Sequence, residues 1–552
     1  MMKRKGICYL LTLCMVFGIL AAAAQGVWAA EDQSCGASLT WSLSSDGTLT
    51  IRGTGAMQDY DGSYYNLIDK NPAFAEKLAP WFSDRDKIKQ VVIGDGVTDI
   101  GNYAFFLCTN LSAVTIPASV TRIGTYAFNQ CKSLSSVTFP SGLLSLNRSA
   151  FAGCEKLASI DIPARLTEIE AEVFAGCSAL TSIDIPKNIK VIGASAFEAC
   201  TGLTKISLPD GLAEISMSAF CGCEKLANFS IPSSVSYIGY CAFSATAYYN
   251  DPSNWVDNVL YLDSFLLQAK ELKVAGTCKV KSGTKLIAVQ AFEYCDKLTA
   301  VELPAGLTTI NPYAFWYCSN LERINLPSSL KIIGYCAFGE CSALNGVTLP
   351  GSLRILGDDA FAGCDKLTSI TVPTCTEYLG EGVFSNCGLT NAVIAEGNTE
   401  LTPGLFQYCA NLKEITIPYT VKNIRQNALI ECNALTKIIY TGDNASWDKI
   451  AIESGNDALD KSKVTWNTKS LVQPTASEDG KTVQVSCIGI PDKSEVILAL
   501  YQGRRLIGTE TATYDGTDIT FHTDKPYSSA KVMAWKGANT PIPVCDAQKV
   551  VK

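Results

Sequence analysis

Histidine is almost missing from this chain: His522 is the only one among 552 residues. Metal centres built on several histidines are excluded because no second ring exists, and a single imidazole in the whole chain leaves catalytic dyads and triads almost excluded. Charge is also sparse, at 18% of residues, and its balance is negative, with a formal value of -8. Lys3, Arg4 and Lys5 hold part of the positive charge at the very start, so the remainder is more acidic still. A basic surface for nucleic acid is not expected. No Gly-rich phosphate loop, nucleophile elbow or closely spaced metal signature occurs, so no cofactor and no metal are expected. Beyond the first thirty residues no apolar run is long enough to span a bilayer. What is plentiful is apolar side chain, 47% of the sequence, which is ample for a buried core.

The start of the chain reads as an export signal over residues 1–30. Lys3-Arg4-Lys5 supplies the positive region, Ile7 to Ala24 the apolar stretch, and Val27-Trp28-Ala29-Ala30 the small-residue cleavage site. The mature protein is expected to be secreted, or held at a cell surface without a covalent anchor and without a membrane span.

Internal periodicity dominates the rest. Phe105, Phe128, Phe151, Phe174, Phe197, Phe220 and Phe243 lie 23 residues apart, and Phe292, Phe315, Phe338, Phe361 and Phe384 resume the period. Phe406 follows after 22 and Leu429 after 23, which makes fourteen units. Their shared pattern is Ile-Gly-x-x-Ala-Phe-x-x-Cys-x-x-Leu-x-x-Val/Ile-x-Ile/Leu-Pro, as in Ile123 to Pro140. The Val/Ile-x-Ile/Leu end alternates as a short half-buried strand does, and proline closes it because it has no N–H for the ladder. The Ile-Gly-x-x-Ala-Phe segment is expected to form a short helical or 3₁₀ return. One unit cannot bury its own apolar face, so the units are expected to stack into a solenoid.

This pattern resembles the BspA-type leucine-rich repeats of bacterial and protist surface proteins, over roughly residues 98 to 440. The resemblance implies a mostly β, right-handed leucine-rich-repeat solenoid of about fourteen coils with short helical turns, and a role in adhesion or in binding extracellular macromolecules.

The solenoid needs covers at its ends. Residues 31–97 fit an N-terminal β cap, with a hairpin of Leu39 to Leu43 and Leu49 to Ile51 around Asp46-Gly47. Residues 441–467, with Trp447, Ile450, Leu459 and Trp466, fit the closing cap. Gln473-Pro474-Thr475 is read as a linker, and five or more short alternating runs over 470–552 as an immunoglobulin-like β-sandwich. Residues 245–286 break the repeat and are read as a protruding hairpin island bearing Tyr248, Tyr249 and Trp255, a secondary binding candidate set against a purely structural insert. The one-residue deletion at Cys387-Gly388-Leu389 is expected to kink the array.

Thirteen cysteines share one repeat position: Cys108, Cys131, Cys154, Cys177, Cys200, Cys223, Cys295, Cys318, Cys341, Cys364, Cys387, Cys409 and Cys432. Export favours disulfides, but stacking gives every thiol identical neighbours above and below. A row of buried reduced thiols is therefore expected. Cys487 and Cys545 are a possible bridge in the terminal domain.

Within each strand the middle residue points away from the core. This gives a candidate ligand strip of Thr115, Thr138, Asp161, Asp184, Ser207, Ser230, Glu302, Asn325, Thr348, Thr371 and Thr416, with Val393 and Ile439 in the same row. Such a strip suits hydrogen bonding to an extracellular protein or glycan, while small hydroxyls equally keep a long sheet soluble. Asp161 and Asp184 fall about 5 Å apart, the carboxylate separation of retaining glycosidases. On an open sheet they are solvated and unspecialised, so no enzyme is expected. The expected function is non-catalytic binding through the solenoid. The alternative is a structural spacer or assembly component whose C-terminal domain does the recognising. The residues name neither one ligand nor an oligomeric state.

Overall fold

The computed structural model describes residues 33–67 and 76–466, and beyond them eight strand segments between 471 and 549. The leader and Cys545 lie outside the described residues, as does the side chain of Cys487, so the export signal and that bridge are not addressed by it. Two compact units make up the chain. The first reaches Val256 and takes in Leu260–Asp263; the second takes in Asp257–Val259 and runs from Ser264.

The first unit opens with antiparallel strands Gln33–Gly36, Leu39–Leu43 and Thr48–Gly53, and Gly47 at φ 92 makes the tight turn between the last two. Thr48–Gly53 then pairs in parallel with Gln90–Ile93, which pairs with Ala113–Thr115. The ladder of these first strands thus continues into the repeats. Trp81 is buried, stacks on Phe105 with centroids 5.7 Å apart, and donates its indole N–H to the Ala104 carbonyl at 2.7 Å. The open end of the phenylalanine column is closed by this ring.

Each coil contributes a short strand just before the position of Gly124, two residues long in all but the first, and most coils add a second strand at the Val/Ile-x-Ile end. In the first row, Ile192 pairs with Ile215 and Ile215 with Ile238, so identical side chains sit one coil apart. Phe105 to Phe243 stack at 5.0 to 6.2 Å in the first unit. Phe292 to Phe406 do the same at 4.9 to 5.8 Å in the second. The period of 23 residues is the length that returns every ring to the same column.

The expected helical return is not there. Among the described residues the coils carry no helix at this corner, because the backbone is left-handed two residues before and two residues after every repeat Phe or Leu429. In the coil of Phe315 these are Tyr313 at φ 57 and Tyr317 at φ 55. Twelve of the fourteen residues at the first position and ten at the second are not glycine. Each such residue costs about 1 kcal/mol. The compensation is a backbone ladder: Tyr313, Phe315 and Tyr317 donate to the carbonyls of Tyr335, Ala337 and Gly339 in the next coil, at 2.9, 2.8 and 3.0 Å. Trp316 N–H and Cys318 N–H close successive turns onto Tyr313 and Phe315. A helix would turn these donors along its own axis and forfeit the bonds between coils.

Other expectations are corrected too. Val259–Leu262 and Phe265–Ala269 are strands, but most of their side chains are buried. Within the second unit Phe265–Leu266 pairs in parallel with Leu286–Ile287, and Gly276–Lys279 with Leu298–Glu302. Residues 265–286 therefore act as a degenerate coil and not as a protruding island, and the solenoid has about sixteen turns. The deletion near Gly388 leaves the ladder in register, with Thr371 opposite Val393 and Val393 opposite Thr416. Gly388 absorbs the shortening: a Cβ there would collide with the Asp365 carbonyl oxygen.

At the far end, Tyr440, Trp447 and Trp466 meet edge to face at 5.1 to 6.3 Å. The turn of helix Asn444–Trp447 is fixed by a capping box between Asp443 and Ser446. Beyond it, Leu471–Ala476, Thr482–Ile488 and Ile519–His522 form one antiparallel sheet. Glu495–Gln502 joins Arg505–Thr513 and Ser529–Lys536 in another. The linker reading of Pro474 gives way to an edge strand, where a missing N–H is harmless. Val483, Val485, Val496, Leu498, Leu500, Ala530 and Val532 are buried at alternate positions, and Ala499 is buried as well.

Candidate binding faces

The strip residues point where the alternation puts them. Thr115, Thr138, Asp161, Asp184, Ser207, Ser230, Glu302, Asn325, Thr348 and Thr371 are exposed, and Thr416 is half-buried beside Val393 and Ile439. Their neighbours in the strands, such as Ile183, Ile206, Val301 and Ile324, are buried. The ladder brings together only part of the strip. Asp184 pairs with Ser207, Glu302 with Asn325, and Thr371, Val393, Thr416 and Ile439 run consecutively. Thr138, Asp161, Ser230 and Thr348 lie in segments that form no strand, so Asp161 and Asp184 are not a ladder pair. Phe139 and Phe229 stand at two of these gaps, leaning on Phe151 and Phe243 at 5.4 and 4.9 Å, and Gly346 stands at a third. The strip is a set of short polar patches.

The aromatics Tyr248, Tyr249 and Trp255 spend their polar atoms locally. Tyr248 donates its hydroxyl to the Tyr261 carbonyl at 2.5 Å and packs on Phe229, while Trp255 donates its indole N–H to the Tyr249 carbonyl at 2.8 Å. All three are half-buried. Their evident work is to seat the stretch after Phe243.

A second exposed face was not foreseen. The four variable positions of Gly-x-x-Ala-Phe-x-x-Cys include the two left-handed residues, the second x of each pair, and their side chains line the corner of each coil. In the second unit these places hold a cluster of rings. Tyr294 stacks on Tyr317 at 5.3 Å; Trp316 lies 5.3 Å from Tyr313 and 4.7 Å from Tyr317; Tyr313 meets Tyr335 edge to face at 5.0 Å. Tyr294, Tyr317 and Tyr335 are 42%, 38% and 40% exposed, which is unusual for touching rings with an apolar alternative. The signal was in the sequence as x positions rich in Tyr and Trp. A helical return, which the spacing of Ile123, Ala127 and Phe128 predicts, would scatter them.

The cysteine row is buried and unbridged. In eleven coils the thiol donates to the carbonyl of the preceding coil's Phe at 3.0 to 3.4 Å. Burial pushes these thiols well above their ordinary pKa, so they are protonated donors and poor nucleophiles. Among the described residues no group of three or more His, Cys, Asp or Glu is placed to hold a metal ion.

The family model of the BspA type leucine rich repeat region matches residues 79–203, 167–251, 275–357 and 333–456. The chain belongs to this family. A leucine rich cell surface protein from Faecalibacterium prausnitzii is 24% identical, over 76% of this chain and 98% of that one, with a TM-score of 0.28. A leucine-rich repeat protein from Bacteroides ovatus is 21% identical, over 73% and 98%, with a TM-score of 0.31. The pneumococcal vaccine antigen PcpA is 18% identical, over 79% and 97%, with a TM-score of 0.29. No curated protein matches. No helix among the described residues is long and apolar enough to cross a membrane.

Proposed function

We propose that this BspA-type repeat protein is a secreted or cell-surface, non-catalytic binding protein that recognises an extracellular protein or glycan through its solenoid. The observation that carries this reading is the contrast between a near-constant core and a variable surface: Phe, Cys and Leu repeat inside with exceptions such as Leu429 and Thr246, while the outward positions differ from coil to coil. A pure spacer needs no such variety. The exposed strip and the corner face both belong to the solenoid, and neither assembles a nucleophile with a base. The two terminal sheets, with alternate buried residues, fit an immunoglobulin-like sandwich serving as spacer or accessory module. The negative charge makes nucleic acid an unsuitable partner.

An array of glycans and extracellular-matrix proteins probed with the mature chain tests the reading. Saturable binding to a restricted set of ligands is expected. Absence of any binding, together with turnover of an array component, would overturn it.

A further inference from the structure

The second unit holds a cavity of about 410 Å³ at the coil corners, walled by Tyr335, Asp358, Asp359, Glu381, Gln407 and Gln426. These residues come from five successive coils, all at the variable positions of the repeat. The cavity exists because Gly382 and Gly404 occupy the first left-handed position, where twelve other coils carry a side chain. A Cβ on Gly382 would collide with Oδ1 of Asp359.

Three carboxylates share this space, and no Lys or Arg lines it. None of the ion pairs among the described residues uses Asp358, Asp359 or Glu381. Asp358 is held in place: its Oδ1 accepts from the Glu381 N–H at 2.8 Å and from the Tyr378 hydroxyl at 2.6 Å. Burial, then the charges of Asp358 and Glu381, raise the pKa of Asp359. A neutral ligand leaves that mutual repulsion in place, whereas a cation relieves it. Tyr335, beside Tyr313 on the exposed ring cluster, supplies an aromatic wall of the kind that favours guanidinium and ammonium groups.

We propose that this cavity receives an arginine or lysine side chain displayed by an extracellular protein partner, so that a basic peptide segment docks along the corner face. Carboxylates suited to paired N–H bonds make arginine the better occupant. The inference rests on the non-catalytic binding reading but assigns the contact to the corner and not to the strand strip.

The test uses the full chain and two labelled peptides, one with two arginines and one with citrulline, the neutral isostere, in their place. Fluorescence polarisation should show saturable binding of the arginine peptide, and binding of the citrulline peptide about tenfold weaker or less, the scale of one lost charge-assisted contact. Gly382→Ala fills the cavity at a backbone position where other coils carry side chains, and Asp359→Asn removes a charge without changing shape. Each should weaken the arginine peptide about tenfold. Asp210→Lys with Glu224→Lys, exposed acids in the first unit, changes net charge more and should leave binding as it was. Equal binding of both peptides, or no effect of either cavity variant, would overturn the proposal. So would a neutral glycan whose binding is lost in Gly382→Ala. Binding of array ligands that persists in both cavity variants, with no peptide bound, would sink this inference and leave the proposed function standing.

Discussion

Cys318 Sγ lies 3.0 Å from the carbonyl oxygen of Phe292, one coil earlier, and donates to it. That carbonyl already accepts the N–H of Cys295 at 3.1 Å, so the thiol takes its second lone pair. A residue small enough for the column, apolar enough for the core and still able to donate is a cysteine. Cys318→Ala should therefore cost about 1 to 2 kcal/mol, the worth of a small buried group with a weak hydrogen bond. Cys318→Asp should be far more damaging because it buries an unpaired charge. Chemical denaturation of both variants checks this, and equal stabilities would refute it.

Thiol chemistry should follow burial. In the native protein Cys221, Cys241, Cys336 and Cys375, which are half-buried, should alkylate first. The thirteen repeat-position cysteines should react only after denaturation, which mass spectrometry reads directly. Finding most of them in disulfides would contradict the row of thiols.

Alkali should weaken the fold. Burial pushes Cys295 and Cys432 up to about 12, whereas an unfolded cysteine ionises near about 8.5. Below that pH both states keep the proton and stability is unaffected. Above it only the unfolded state loses the proton, so each thiol removes about 1.4 kcal/mol per pH unit until the folded thiol ionises too. Melting temperature should fall from about pH 9 to pH 12, and Cys295→Ala with Cys432→Ala should make the fall shallower. An unchanged slope in that variant would refute the assignment.

The strip and the rings after Phe243 should separate by readout. Asp161→Lys with Asp184→Lys leaves exposed sites exposed, so melting should hold while affinity for a strip-bound ligand weakens gradually. Trp255→Ala removes the indole that holds the Tyr249 carbonyl, so melting should drop. A loss of affinity equivalent to about 2 kcal/mol or more at Trp255, with unchanged binding in the Lys variant, would transfer the site to those rings.

Much of this molecule was legible in advance because one physical requirement is repeated. Phe128 and Cys131 recur since every coil must fill the same column, and the outward position of Thr115 or Glu302 follows from strand alternation. The corner was misread because Ile123, Ala127 and Phe128 have helical spacing, and spacing alone does not reveal that Tyr126 and Gln130 adopt φ 57 and 61. The ladder between coils, a tertiary effect, decides that. The same error hid the rings at Tyr313, Trp316 and Tyr317 and the cavity beside Tyr335. The stretch 265–286 was misjudged because it lacks the Phe and Cys of the repeat, yet its Phe265 and Leu266 are buried and pair in register with Leu286 and Ile287.

The claim that the solenoid does the recognising is tested most directly by one comparison on the array of glycans and matrix proteins: the mature chain against the same chain ended after Trp466. The shortened chain should bind the same ligands with affinities within about twofold of the mature chain, since its closing aromatic cap remains. Loss of all binding on truncation, with residues 467–552 alone retaining it, would contradict the account.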